Sequence, residues 1–148
     1  MMEGQAGGTL SVSRRFSHSA EDVFDAWVDP CIAARWLFRS PGGEAGELRI
    51  DARRGGGFSI TELRDGEGWE HCGEYLEFER PTLLKFTFWL ARFLEQYGKA
   101  IVTVEISPLE DGGCDLRLTQ ENTPAEYIEP STKGWTTLLG ILDTALQN

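Results

Sequence analysis

The sequence predicts an α+β fold, in which a curved antiparallel sheet of about seven strands wraps around a long C-terminal helix. Three observations predict it. Trp135, Leu138, Leu139, Leu142, Ala145 and Leu146 return every three or four positions, the stripe of an amphipathic helix. Upstream, apolar residues recur at every second position in one segment after another, the period of a strand with one buried face. Turn signals such as Asp65-Gly66 and Asp111-Gly112 separate those segments by only a few residues, which favours antiparallel pairing of neighbours. From Pro130 to Leu146 the helix would reach about 25 Å at 1.5 Å per residue, enough to lie across a small sheet.

Met1–Gly8 is glycine-rich and is expected to be a disordered tail, leaving 9–148 as a single domain. Thr9–Ser17 reads as the first strand, with Leu10, Val12, Arg14 and Phe16 on one face. Ser19, with Asp22 three residues on, starts a helix whose apolar face is Val23, Phe24 and Trp27. Asp29 caps a second helix with Pro30 at its first position, carrying Ile32, Ala33 and Trp36. Ser40–Gly46 is a Pro- and Gly-rich loop and Glu47–Ala52 a short strand. Phe58–Arg64 follows, with Phe58 and Ile60 on one side and Glu62 in the same phase.

In Trp69–Glu79 the alternation slips. Trp69 and His71 share one phase, Leu76 and Phe78 the other, and Gly73 between them marks an expected bulge. Leu84, Phe86, Phe88 and Leu90 alternate next. Ala100, Val102, Val104 and Ile106 do so after a patternless stretch at Phe93–Gly98, and Cys114, Leu116, Leu118 and Gln120 complete the set. Thr123-Pro124-Ala125-Glu126 is a helix-start signature with Thr123 as cap. Pro130 would cost about 3 kcal/mol inside a regular helix, so a single turn at Ala125–Ile128 followed by a kink or restart at Pro130 is expected. Gly134 is unfavourable in a helix, and close approach of another backbone or ring is expected there.

The bulk composition narrows the function. Acids outnumber bases 24 to 14 and the net charge is −10. Nucleic acids and anionic membranes are therefore poor partners. Three cysteines at wide spacings, with no CxxC, fit free thiols in a reducing compartment. No apolar run has the length of a signal segment or membrane span, so a cytoplasmic location is expected.

The order of short motifs resembles a known family. Phe16 to Pro30 (FSHSAEDVFDAWVDP), Ala34-Arg35-Trp36, Arg54 to Phe58 (RGGGF), Gly73 to Leu76 (GEYL), Arg80 to Phe86 (RPTLLKF) and Gly134-Trp135 together resemble the activator of heat-shock protein 90 ATPase homologue-like proteins. These belong to the START-like, helix-grip (SRPBCC) superfamily, which also holds polyketide cyclases, the birch-pollen allergen and lipid-transfer domains. The resemblance implies a seven-stranded sheet gripping the last helix, two small helices after the first strand, and a cavity between helix and sheet. It does not imply one activity, since the fold hosts binders, carriers, cyclases and co-chaperone domains.

Arg53–Gly57 is Gly-rich and basic, but it lacks the closing GK[ST] and leads into a strand, so it is a turn and not a phosphate loop. His71 and Cys72 are neighbours on a strand and point to opposite faces, which argues against a shared metal ion. No metal or cofactor is expected. Of the glutamates Glu62, Glu70, Glu74, Glu77 and Glu79, most look like a solvated face, and nothing selects two at a catalytic separation, so an acid–base pair would have to draw on Arg14, His71 and loosely Glu62.

A cavity site needs apolar walls and a few fixed polar groups. By strand phase the walls are Phe58, Ile60, Trp69, Phe86, Phe88, Val102, Val104, Leu116 and Leu118. Trp36, Trp135, Leu138 and Leu142 face them from the helices, and Arg14, His71 and Gln120 are the polar candidates. The function expected is binding of a small apolar molecule, such as a lipid or polyketide, without chemistry of its own. The alternatives are a polyketide cyclase- or hydrolase-like enzyme in the same cavity and a co-chaperone-type ATPase activator. Trp89, out of phase with the core, and Phe93 offer a surface for a homodimer.

Overall fold

The computed structural model describes residues 7–40 and 42–147. Seven strands form one antiparallel sheet: β1 (Gly8–Phe16), β2 (Glu44–Ile50), β3 (Gly57–Arg64), β4 (Glu67–Glu79), β5 (Leu83–Leu90), β6 (Ala100–Pro108) and β7 (Cys114–Thr123). The helices are α1 (Ala20–Val28), α2 (Pro30–Trp36), α3 (Leu94–Tyr97) and α4 (Ala125–Leu146), with a 3-10 turn at Ala91–Phe93 before α3. The sheet runs β1-β7-β6-β5-β4-β3-β2, so β2 to β7 pair in sequence while β1 lies beside β7 at the far edge. Pairing of neighbours fails only there, because α1 and α2 carry the chain from one edge of the sheet to the other. Gly8 already belongs to β1, opposite Thr123. The rest of the expected tail, residues 1–6, lies outside the described residues.

Local chemistry sets the two short helices. The Ser19 hydroxyl accepts from the Asp22 N–H at 3.1 Å, and the Asp29 carboxylate accepts from the Cys31 N–H at 2.9 Å, with Pro30 at the first helical position. Their tryptophans build the centre of the core. Trp27 meets Trp36 edge to face at 4.7 Å and also approaches Phe86 and Trp135. The Trp36 indole donates to the Ala26 carbonyl at 2.8 Å, so its one polar atom is satisfied in the interior.

The slip in β4 lies two to three residues after Gly73. Tyr75 keeps the inward phase of His71 and Gly73, and the pairing with β5 shifts after it, between Tyr75 and Glu77, which brings Phe78 inward against Phe24 and Tyr75 and leaves Leu76 exposed. Gly73 has a different task. A Cβ there would meet the Thr87 carbonyl oxygen and the Phe58 ring at van der Waals overlap, so the Phe58 ring packs directly over its backbone. β2 begins earlier than the loop chemistry suggests, because Glu44 and Ala45 pair with Leu63 and Glu62.

α4 is continuous from Ala125, with Pro130 inside it and no restart. Pro130 falls in the second turn, where the only carbonyl that loses its N–H partner belongs to exposed Glu126 and is open to water. Thr123 does not cap the helix. Its hydroxyl instead accepts from Gln120 Nε2 at 2.9 Å, and Pro124 occupies the cap position. Trp135, Leu139, Leu142 and Ala145 are buried against the sheet, while Leu138 is half-buried. At the other end of the helix, Asp143 accepts from Arg14 Nη2 at 3.1 Å and lies 3.4 Å from His18 Nε2, tying α4 to β1.

Candidate functional site

A cavity of about 490 Å³ opens between the N-terminal half of α4 and the concave face of the sheet. Its buried floor is Phe38, His71, Gln120 and Trp135. Phe88 and Leu138 form half-buried walls, and the exposed residues Arg64, Lys133, Gly134 and Thr137 frame the mouth.

Phe38 organises the floor. It follows the C-cap of α2 and sits in the left-handed region at φ 57°, an uncommon conformation for an aromatic residue. That backbone bend turns its ring inward. The ring stacks on His71 at 4.4 Å and 8° and on Phe88 at 5.0 Å and 10°, and touches Phe58 and Trp135 at 5.9 and 5.7 Å. One side chain thus fills much of the space that strand phase alone leaves hollow.

The polar groups on the floor are fixed. His71 Nδ1 lies 3.2 Å from the Ile60 carbonyl, which can only accept, so the neutral ring carries its proton on Nδ1 and Nε2 is the acceptor. Burial among aromatic rings pulls the His71 pKa from 6.5 down to about 4, against the raising effect of the Ile60 carbonyl and the Glu62 charge. The ring is therefore neutral at pH 7. Gln120 accepts from Trp135 Nε1 at 2.7 Å through Oε1 and donates to Thr123 through Nε2, so both ends of its amide are engaged.

Behind the mouth, Glu62 is fully buried. Its Oε2 accepts from the Ser40 N–H and hydroxyl at 2.5 and 2.6 Å, and its Oε1 from Arg64 Nε at 2.6 Å. Burial alone would raise its pKa, but the Ser40 hydrogen bonds and the Arg64 charge outweigh that and hold it below the ordinary value. The carboxylate clamps the loop after α2 to β3. Gly43 has to be glycine here, since a Cβ would collide with Glu62 Oε2.

Of the residues expected to line a cavity, the structure brings five together: His71, Phe88, Gln120, Trp135 and Leu138. Phe58, Ile60 and Phe86 lie in the packed core, as do Val102, Val104, Leu116, Leu118, Leu142 and Trp36. Trp69 does not line the cavity and has Arg92 and Arg64 over its ring at 3.9 and 5.1 Å. Arg14 turns to Asp143 on α4 and does not line the cavity. Trp89 is half-buried beneath Lys99 Nζ at 4.5 Å, and Phe93 packs on Trp69 and Tyr97. A hollow of about 200 Å³ shares Phe88 and Ser131 with the cavity, and the Tyr97 and Tyr127 hydroxyls meet at 2.9 Å beside it. His71 and Cys72 point to opposite faces, and among the described residues no group of His, Cys, Asp and Glu is placed to hold a metal ion.

Sequence reasoning missed Phe38, Arg39, Ser40, Arg64, Ser131, Lys133 and Thr137. The only available signal was the apolar run Trp36-Leu37-Phe38, which continues past the end of α2 up to a Pro- and Gly-rich loop. Gly134 is not crowded in the way its place in a helix suggests. Nothing lies within 4 Å of a Cβ built on it, so it faces open space at the mouth and no ring or backbone crowds it.

Comparison with solved structures places the fold among well-populated company. Protein CV1439 of Chromobacterium violaceum is similar at a TM-score of 0.83 and 28% identity, covering 95% of this chain and 98% of that one. An AHSA1-like protein of Aeromonas hydrophila is similar at 0.80 and 23%, covering 94% and 92%. An HSP90 activator of Plasmodium falciparum is similar at 0.75 and 23%, covering 95% and 97%. At those last two identities the likeness shows the fold alone. Comparison with curated protein sequences returns no match. The family model for activator of Hsp90 ATPase homolog 1-like protein matches residues 17–147, and the chain belongs to that family, within the START-like, helix-grip superfamily.

Proposed function

We propose that this protein binds a small hydrophobic molecule in the cavity between α4 and the sheet and performs no chemistry on it. The observation that carries the reading is the cavity itself: about 490 Å³, walled by Phe38, Phe88, Trp135 and Leu138, with a neutral histidine on its floor. That volume and lining are typical of small-molecule sites. Glu62, the acid bonded to the cavity residues Ser40 and Arg64, has both oxygens engaged by them. A group held in that way is a poor candidate for proton transfer to a ligand. The three thiols are all free, which fits a reducing compartment such as the cytoplasm.

Native mass spectrometry of protein purified without denaturation tests the reading. A co-purified apolar molecule, released on unfolding and displaced by Leu138→Trp, is the expected result. Failure of any apolar probe to bind, with Trp135 fluorescence unmoved, would sink it. Turnover of a polyketide or lactone that His71→Ala abolishes would replace it with an enzyme. Stimulation of an Hsp90 ATPase, an activity suggested by the name of the Plasmodium neighbour, would replace it with a co-chaperone.

A further inference from the structure

The charge around the cavity runs against that of the chain. The protein carries 24 acids and 14 bases. Yet the described residues lining this cavity include Arg39, Arg64 and Lys133 and no aspartate or glutamate. The Glu62 carboxylate, bound to the lining residues Ser40 and Arg64, is spent on Arg64, with their atoms 2.6 Å apart. That pair cancels and leaves Arg39 and Lys133, for neither of which a carboxylate partner lies within 4 Å among the described residues. Arg39 donates instead to two neutral carbonyls, those of Ala34 and Gly43, so its charge is held in place and not neutralised. The hydroxyls of Ser131 and Thr137 lie on the same lining and can donate hydrogen bonds. Below this rim the site is aromatic.

We propose that the natural ligand is an amphiphile with an anionic head group, a carboxylate or a phosphate monoester, seated at the Arg39–Lys133 rim with its apolar body on the Phe38–Trp135 floor. This rests on the cavity being a ligand site. The physical reason is that two uncompensated cations beside a low-dielectric wall favour an anion more strongly than they would in open water. A fully apolar molecule would fill the floor and leave the rim unused.

The test is isothermal titration calorimetry with decanoate, decyl phosphate and decanol, which share one alkyl body. The expected result is that at least one of the two anions binds about tenfold or more tightly than decanol, as one added charge-assisted hydrogen bond would give. The two anions against each other distinguish the head groups. Lys133→Glu, an exposed change on α4, should cut the preference for the anions over decanol about tenfold, and added salt should weaken the anions and not decanol. Equal binding of all three overturns the head-group assignment and leaves the hydrophobic site standing. So does a preference that survives Lys133→Glu and high salt. Binding of none overturns the cavity reading and this inference with it.

Discussion

The Phe38 ring lies parallel to the His71 imidazole, 4.4 Å away and 8° from coplanar, on a backbone at φ 57°. The contact holds a left-handed aromatic residue in place, and its removal has two separable effects. Truncating a buried Phe costs about 3–5 kcal/mol. At a left-handed position, however, glycine is favoured over alanine by about 1 kcal/mol. Phe38→Gly is therefore expected to be more stable than Phe38→Ala, the reverse of the ordinary order, when both are unfolded in urea. Both should enlarge the cavity and tighten binding of bulkier apolar probes. Alanine proving the more stable would mean that the bend is a product of the ring and not of the loop.

The same burial makes His71 an acid-sensitive point. Its folded pKa, about 4, is below the ordinary 6.5, so the unfolded chain takes up the proton first as pH falls. Its contribution is fully present above pH 6.5 and is lost between there and pH 4, at up to about 1.4 kcal/mol per pH unit and about 3 kcal/mol in all. His71→Phe should start about 1 kcal/mol lower at pH 7, because the Ile60 carbonyl loses its donor. It should then lose less stability between pH 7 and 4.5. Parallel curves for the two proteins would show that burial does not lower the His71 pKa in the fold.

The periodic parts of the molecule were legible because one physical rule governed each. β5, β6 and β7 alternate in sequence, since one face is turned to the helices and the other is not, and the caps of α1 and α2 are local hydrogen bonds between residues two or three apart. The site resisted for the opposite reason. Phe38 enters the cavity through a left-handed bend that no local residue preference announces, and Arg64, Lys133 and Gly134 meet only after the sheet has closed on the helix. Thr123 and Pro130 misled because their local preferences were outvoted: a buried glutamine took the hydroxyl of the first, and continuous packing of α4 carried the second. Leu76 stays on the outer face and Phe78 alone turns inward, because the shift in pairing comes after Tyr75 and not at the glycine that advertised it.

Glu62 joins the loop after α2 to β3, and its charge is what the Ser40 N–H, the Ser40 hydroxyl and the Arg64 guanidinium share. Glu62→Gln keeps the shape and removes the charge, placing an amide N–H₂ against groups that donate. A loss of about 2–3 kcal/mol is expected, the scale of hydrogen bonds to a charged partner. The pKa of Glu62 lies below its ordinary value, so its contribution is present above about pH 4.5 and disappears as pH falls through the folded value. The gap between wild type and variant in urea titrations should therefore narrow at acid pH. It should also be accompanied by faster amide exchange at Ser40, and a gap that stays constant down to pH 3 would contradict the clamp.

Gly134 offers the converse case, a substitution that should help the fold and hinder access to the site. It lies in the interior of α4 with nothing within 4 Å of where a Cβ would stand, and it borders the mouth of the cavity. Gly134→Ala removes a backbone entropy cost of about 1 kcal/mol without a clash, so the unfolding midpoint should rise. The added methyl points into the mouth and should slow association of an apolar probe more than it slows dissociation, read by stopped-flow quenching of Trp135. A lower midpoint would show that the helix one turn after Pro130 departs from regular geometry, and an unchanged association rate would move the mouth away from this side of α4.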